Sequence, residues 1–74
     1  MKYLVEVWYK PGVTDAVGQS VKKGIEDLGI KSVKSVSSGQ VYLIEGNSTE
    51  IEIESICEKL LANSVIQNYK IKIF

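Results

Sequence analysis

The feature that most constrains the fold is a junction between a strand and a helix at residues 8–21. Pro11 lacks a backbone N–H and fixes its own φ, so a β-ladder should stop there, and Gly12 permits the change of direction that follows. Asp15 can accept hydrogen bonds from the free N–H groups of the first helical turn, and its charge suits that end of the helix dipole. We therefore predict that this helix packs back onto the strand that precedes it.

Hydrophobic periodicity predicts six elements in the order strand, helix, strand, strand, helix, strand. They cover residues 2–9, 15–28, 30–37, 40–45, 49–63 and 69–74. Residues 30–37 are polar enough for an edge strand, whereas residues 40–45 are nearly continuous in apolar side chains, as expected of a central strand. The turn signal Ser38-Gly39 predicts that these two strands form a hairpin.

Each predicted helix carries one apolar stripe and recognisable end signals. The stripes are Val17, Val21, Ile25 and Leu28 in the first helix, and Ile53, Ile56, Cys57, Leu60 and Leu61 in the second. Gly29 follows the first helix, where a left-handed cap is expected. Thr49 with Glu52 fits a capping box at the start of the second, with Ser48 as a rival cap.

The simplest arrangement of these elements is an α+β, ferredoxin-like βαββαβ sandwich. It is a single domain over residues 1–74, a four-stranded antiparallel sheet with both helices on one face. The other face would be uncovered and would display Leu4, Glu6, Trp8, Lys70, Lys72 and Phe74. Because Trp and Phe are costly to leave in water, we predict a contact surface there, although scattered surface aromatics are also ordinary.

Composition removes several classes of function. Nine lysines balance nine acidic residues, and the chain has neither arginine nor histidine. Without imidazole there is no common general base and no ordinary zinc site, and without guanidinium there is no bidentate group for phosphate or guanine. The zero net charge gives no electrostatic reason to expect nucleic-acid binding. We therefore expect no catalytic residues, no cofactor and no metal.

Size and the single cysteine set further expectations. Cys57 cannot form an internal disulfide and is expected to be a small buried hydrophobe. The chain has 74 residues, and a domain this small is usually marginal alone, so self-association or a partner is expected. No apolar run is long enough to span a membrane, and the charged, alternating N-terminus is not a signal peptide, so a cytoplasmic location is expected.

Two blocks of sequence resemble the PurS family, the small subunit of phosphoribosylformylglycinamidine synthase. The first block is Lys10-Pro11-Gly12-Val13 with Asp15-Ala16-Val17-Gly18, Val21 and Leu28-Gly29, and the second is residues 57–63 with Val65-Ile66 and Tyr69. The chain departs from the family pattern at Ala16 and Ser64, where proline is common, and at Gln40 in the hairpin, where lysine is usual.

The resemblance implies a structural subunit without catalytic residues. It would bridge a glutaminase subunit and an ATP-dependent synthetase subunit, support ammonia transfer, and form a homodimer or homotetramer. We expect its contacts at the uncovered face and the turn, namely at Leu4, Trp8, Lys10, Gly12, Asp15 and Phe74.

Other functions of the same fold fit less well, with one serious alternative. An acylphosphatase needs arginine, an RNA-binding domain needs a basic surface, and a metal chaperone needs paired thiols. An ACT-like regulatory domain remains open, because the turn before the first helix could hold a small anion with Lys10 as its counter-charge.

Overall fold

The computed structural model describes every residue from Met1 to Phe74. It contains three strands, β1 (Lys2–Tyr9), β2 (Gly39–Glu45) and β3 (Gln67–Ile73), and two helices, α1 (Ala16–Asp27) and α2 (Glu50–Ile56). A π-helical turn, Cys57–Leu61, continues α2. Neither helix combines the length and the apolar character that crossing a bilayer requires.

The sheet is antiparallel, with β1 between β2 and β3. Val5 of β1 lies opposite Tyr42 of β2 and Ile71 of β3, which fixes the register on both sides. The strand predicted over residues 40–45 is therefore an edge strand, and its prediction as a central strand is wrong. The central strand is β1, in which Tyr3, Val5 and Val7 are almost completely buried.

The core lies between β1 and the segment formed by α2 and its π-helical turn. Six apolar residues are buried: Tyr3, Val5, Val7, Ile53, Cys57 and Ala62. Thr49, and not Ser48, caps α2, because its hydroxyl accepts the Glu52 N–H at 3.2 Å and its own N–H donates to the Glu52 carboxylate at 3.0 Å. The predicted capping box is confirmed, and it directs the apolar stripe of α2 onto the sheet.

The predicted four-stranded sheet is wrong for the single chain, because residues 30–37 form no strand and pair with nothing. A two-residue hairpin turn at Ser38-Gly39 would need a left-handed backbone at one of these residues. Neither has one, since positive φ values occur only at Gly12, Gly29 and Gly46. The chain instead continues into β2 without a turn or bend.

The helix α1 has the predicted ends but not the predicted packing. Asp15 caps its start, and Gly29 after its end has a φ of 87°. Three residues of its apolar stripe, Val17, Val21 and Leu28, are exposed, and no side chain of α1 belongs to the core. The prediction that α1 packs back onto β1 is therefore wrong within one chain.

Candidate interaction surfaces

The turn that follows β1 is held by backbone hydrogen bonds on both sides. The Val13 N–H donates to the Lys10 carbonyl at 3.2 Å, and Gly12 adopts a φ of 85°, which only glycine adopts readily. The Lys10 N–H donates to the Ile66 carbonyl at 2.8 Å, which ties the turn to the chain just before β3. The turn at Gly12 is thus formed locally, as the sequence predicted, whereas the hydrogen bond to Ile66 is a long-range contact that the sequence did not indicate.

Asp15 joins the start of α1 to the segment before β2. Its carboxylate accepts the Gly18 N–H at 2.8 Å, the Ser38 N–H at 2.6 Å and the Ser38 hydroxyl at 2.6 Å. The hydrogen bonds from Ser38, followed by that from Gly18, hold the pKa of Asp15 below its usual value, because they favour the ionised carboxylate. Sequence reasoning found the cap on α1 and missed the contact with Ser38.

The turn is poorly suited to hold an anion. The Asp15 carboxylate already accepts the Gly18 N–H at the start of α1, and it lines the cavity of about 330 Å³ beside the turn. The ammonium group of Lys10 donates to the Ser64 carbonyl at 2.6 Å instead. An anion entering the cavity would therefore meet a carboxylate, which disfavours the ACT-like alternative.

The sheet face opposite α2 is uncovered, and we call it the open face. It carries Leu4, Glu6 and Trp8 from β1 and Lys70 and Lys72 from β3, because side chains alternate along each strand. Trp8 is 38% exposed. Phe74 follows β3 and is 69% exposed, and its backbone N–H donates to the Lys2 carbonyl at 2.8 Å. These residues lie where the sequence placed them.

The open face also includes two apolar residues that sequence reasoning missed. Leu43 lies opposite Leu4, and Val41 lies opposite Glu6; they are 56% and 62% exposed. The alternation of residues 40–45 identifies them, but the nearly continuous apolar run of that segment favours a central strand and hides the alternation. Together with Leu4 and Trp8 they make the side of the open face toward β2 largely apolar, whereas Lys70 and Lys72 lie on the side toward β3.

One ion pair lies on the open face, between Glu6 and Lys72. The Glu6 carboxylate accepts from the Trp8 indole N–H at 3.3 Å and lies 3.4 Å from the Lys72 ammonium. The hydrogen bond from Trp8, then that from Lys72, lowers the pKa of Glu6 below its usual value. Glu6 is thus ionised at neutral pH and neutralised by its neighbour, which leaves the aromatic and aliphatic surface around it available for contact.

The acidic residues and the single cysteine form no metal-binding cluster. No group of three Cys, Asp or Glu residues is placed to hold a metal ion. Cys57 is fully buried, and burial raises the pKa of its thiol. An inaccessible, protonated thiol is a poor nucleophile.

These features define a class: a small α+β protein with a minimal core and an exposed, partly apolar sheet face. The family model described as PurS, phosphoribosylformylglycinamidine (FGAM) synthase, matches residues 2–74. The chain is 43% identical over 72 residues to phosphoribosylformylglycinamidine synthase subunit PurS of Archaeoglobus fulgidus, and the match covers 90% of each protein. The chain belongs to the PurS family, as the two sequence blocks predicted.

Solved structures agree with this assignment. The crystal structure of Methanocaldococcus jannaschii PurS, one of the subunits of formylglycinamide ribonucleotide amidotransferase, superimposes with a TM-score of 0.84 at 35% identity. That match covers 96% of this chain and 92% of the other. The structure of PurLQS from Thermotoga maritima contains a chain of the same fold, with a TM-score of 0.70 at 22% identity.

Proposed function

We propose that this chain is the non-catalytic small subunit of phosphoribosylformylglycinamidine synthase in purine biosynthesis. In this role it bridges a glutaminase subunit and an ATP-dependent synthetase subunit and supports ammonia transfer between them. The observation that carries the proposal is the exposed apolar open face in a member of the PurS family. An enzyme would need a constellation of reactive groups, whereas a bridging subunit needs surfaces that other proteins can cover.

The contact region of the proposed subunit is the open face and the adjoining turn. Leu4, Trp8 and Phe74 supply apolar surface, and the exposure of Val41 and Leu43 on the same face supports including them. The turn residues Lys10, Gly12 and Asp15 follow β1 directly and stand at one end of this face.

The proposal includes a homodimer or homotetramer in the cytoplasm. Only six apolar residues are buried in the single chain, whereas fourteen large apolar residues are exposed. So small a core rarely supplies more than about 3–5 kcal/mol of stability, and this supports further burial between copies. Sedimentation of the purified chain tests the oligomeric state, and fractionation of cells tests the cytoplasmic location.

The test of the subunit role is co-purification of the tagged chain with the glutaminase and synthetase subunits. Trp8→Ala should reduce the amount of both subunits recovered, because it removes the largest apolar group of the open face. Tyr9→Ala is a matched control, since Tyr9 is adjacent, equally exposed at 38%, and on the opposite face of β1. Circular dichroism should show both variants folded.

Three results would count against the proposal. The chain could fail to co-purify with either subunit, or Trp8→Ala and Tyr9→Ala could behave alike. Unaided conversion of formylglycinamide ribonucleotide by the purified chain would contradict a non-catalytic role.

A further inference from the structure

The outer edge of β3 is unpaired. β3 pairs with β1 alone, so no strand lies on its other side. Two hydrogen bonds that flank this ladder show which groups face β1. The Phe74 N–H donates to the Lys2 carbonyl and the Lys10 N–H donates to the Ile66 carbonyl, both at 2.8 Å. Because hydrogen-bonded and non-hydrogen-bonded pairs alternate in an antiparallel ladder, the even-numbered residues of β3 point their backbone groups at β1.

The odd-numbered residues of β3 therefore point their backbone groups away from β1. Tyr69, Ile71 and Ile73 make no backbone hydrogen bond outside the ladder, so each leaves one N–H and one carbonyl free along the edge. Their side chains lie on the side of the sheet that α2 covers, where Tyr69 and Ile71 pack against the core. An unpaired row of backbone donors and acceptors is a template on which an extended segment of another chain can pair as an added strand.

A row of acidic side chains runs beside this edge, on the side of the sheet that α2 covers. The row recurs every four residues along α2 and its π-helical turn and consists of Glu50, Glu54 and Glu58. The first two line a cavity of about 200 Å³ together with Ile71 and Ile73 of β3. The Glu58 carboxylate accepts a hydrogen bond from the Tyr69 hydroxyl at 3.1 Å. We call the space between the acidic row and the outer edge of β3 the edge groove.

The acidic row is exposed and makes no ion pair, since the ion pairs of the chain join other residues. Partial burial, followed by the hydrogen bond and the charge of Glu58, raises the pKa of Tyr69, and the charge of Glu54 acts in the same direction. A negative potential therefore extends over the edge of β3. Lys10 and Lys59 line the wider end of the edge groove beside Glu58, so the negative charge is concentrated at the other end.

A second copy of the same strand would be a poor occupant of this edge. Two β3 strands paired antiparallel about Ile71 would set Lys70 of each copy against Lys72 of the other on the open face. The same pairing would bring the two acidic rows towards each other on the helix side. Like charges placed opposite each other destabilise a strand pair. The charges therefore favour a different chain, with basic side chains on the helix side.

We propose that the outer edge of β3 binds an extended segment of a partner protein as an added antiparallel strand, and that this segment carries lysine or arginine at alternate positions. The residues whose backbone pairs with the edge have their side chains on the helix side, where the basic groups meet Glu50 and Glu54. The remaining side chains of the segment lie beside Lys70 and Lys72, where neutral or acidic groups fit. This edge is not part of the open face, so the proposal goes beyond the subunit role above and does not rest on it.

The test uses the purified full chain and a fluorescent peptide in which lysine alternates with threonine, a residue that favours strands. Fluorescence anisotropy at low salt should show saturable binding, and no binding would overturn the proposal. Two isomers of the peptide carry equal numbers of backbone N-methyl groups, on the lysines in one and on the threonines in the other. The first should bind at least about tenfold more weakly than the second, because it alone loses the donors that face the edge. Equal affinities of the two isomers would overturn the added strand.

Hydrogen exchange of the chain locates the bound peptide. The N–H groups of Tyr69, Ile71 and Ile73 should exchange more slowly when the peptide is bound, because they gain acceptors. The N–H groups of Lys70 and Lys72 already face β1 and should change little. Unchanged exchange at the three edge positions with saturating peptide would overturn the proposal.

Ile73→Pro tests the edge from the side of the chain. Proline removes the Ile73 N–H and is tolerated where the N–H of an edge strand faces solvent. Ile73→Ala is the matched control, because it shortens the same side chain and keeps the donor. The proline variant should bind the peptide about fivefold more weakly than the alanine variant, the usual effect of one hydrogen bond. Equal affinities would contradict pairing at this position.

Glu54→Gln tests the acidic row. It should weaken binding of the peptide about twofold to fivefold, because it removes one exposed ion pair with a lysine of the peptide. Glu26→Gln is the matched control, since Glu26 lies in α1 and pairs with Lys22, and it should leave the affinity unchanged. Equal affinities of these two variants would contradict the basic character of the segment. Co-purification with the glutaminase and synthetase subunits is measured separately, so failure of the peptide to bind leaves the proposed function standing.

Discussion

Ser38 donates two hydrogen bonds to the carboxylate of Asp15, one from its backbone N–H and one from its hydroxyl, both at 2.6 Å. The two residues are separated by 23 positions. Their contact fixes the start of α1 against the chain just before β2, so the helix projects from the sheet in one direction. The position of α1 relative to the sheet depends on this contact.

The substitution Asp15→Asn should lower the melting temperature at neutral pH. It should also make the melting temperature of the variant change less than that of the natural chain as the pH falls. The hydrogen bonds that Asp15 accepts lower the pKa of its carboxyl in the folded chain. Their stabilising contribution is therefore present above the unfolded pKa of about 3.9 and is lost as the pH falls through the lower, folded value. Thermal unfolding measured between pH 6 and pH 2 checks this.

Asp27→Asn is the control for that experiment, because Asp27 ends α1 and its side chain makes no hydrogen bond or ion pair in the structure. It should leave the acid dependence as in the natural chain. If the melting temperatures of the natural chain and of Asp15→Asn depend equally on pH, the contact with Ser38 contributes nothing to the stability of the fold.

Gly39→Ala should destabilise the chain by about 1–3 kcal/mol, the usual cost of overpacking. The new Cβ would meet the Val7 carbonyl and the Trp8 ring, and backbone must move to admit it. Gly24→Ala is the opposite case, since nothing lies within 4 Å of its added Cβ. Because Gly24 lies inside α1, alanine there should stabilise by about 0.5–1 kcal/mol. Urea unfolding of both variants measures the change in the free energy of unfolding. A change in the same direction for both variants would contradict the close approach at Gly39.

Ile53→Ala should unfold the chain or nearly so. Ile53 is fully buried in a core of six residues, and truncation of such a side chain costs about 2–5 kcal/mol. That cost is comparable to the whole stability of a chain this size. Circular dichroism measures the loss of structure. Ile53→Val, which costs about 0.5–1.5 kcal/mol, keeps the measurement within the folded range.

Ile51→Ala is the matched control, since Ile51 lies in the same helix and is 78% exposed. It should leave the unfolding midpoint nearly unchanged. Comparable losses of stability in Ile51→Ala and Ile53→Ala would mean that α2 packs against the sheet through a different face.

Cys57 should react with a thiol reagent only when the chain unfolds. Its side chain is inaccessible, and burial raises the thiol pKa, so less thiolate is present at a given pH. The expected result at pH 8 is slow labelling of the native chain and rapid labelling in urea. A Lys70→Cys variant supplies an exposed thiol for comparison, and equal labelling rates at the two positions in the native chain would contradict the burial of Cys57.

Local signals in the sequence predicted most of the elements. The cap at Asp15, the capping box at Thr49 and Glu52, and the left-handed Gly29 are all found, because each depends on side chains within a few residues of the helix end. Alternation along β1 and β3 placed Leu4 and Trp8 on the open face for the same reason. The family also followed from short blocks of sequence.

The hairpin at Ser38-Gly39 could not be judged from the sequence. Serine and glycine permit a turn, but whether the chain turns depends on what lies against them, here the Asp15 carboxylate and the Trp8 ring. Both contacts join residues far apart in the chain. The apolar stripe of α1 likewise predicts that one face of the helix is buried, but it does not identify the surface against which that face packs.

The sequence by itself determined the helices, the three paired strands, the family and the absence of imidazole and guanidinium chemistry, because these follow from residue type and short-range spacing. Only the tertiary structure decided that residues 31–37 stay outside the sheet and that α1 stands away from the core. The physical reason is that a hydrogen bond and close packing between residues 23 or more positions apart keep Ser38 and Gly39 extended. The periodicity of the sequence gives no information about such long-range contacts.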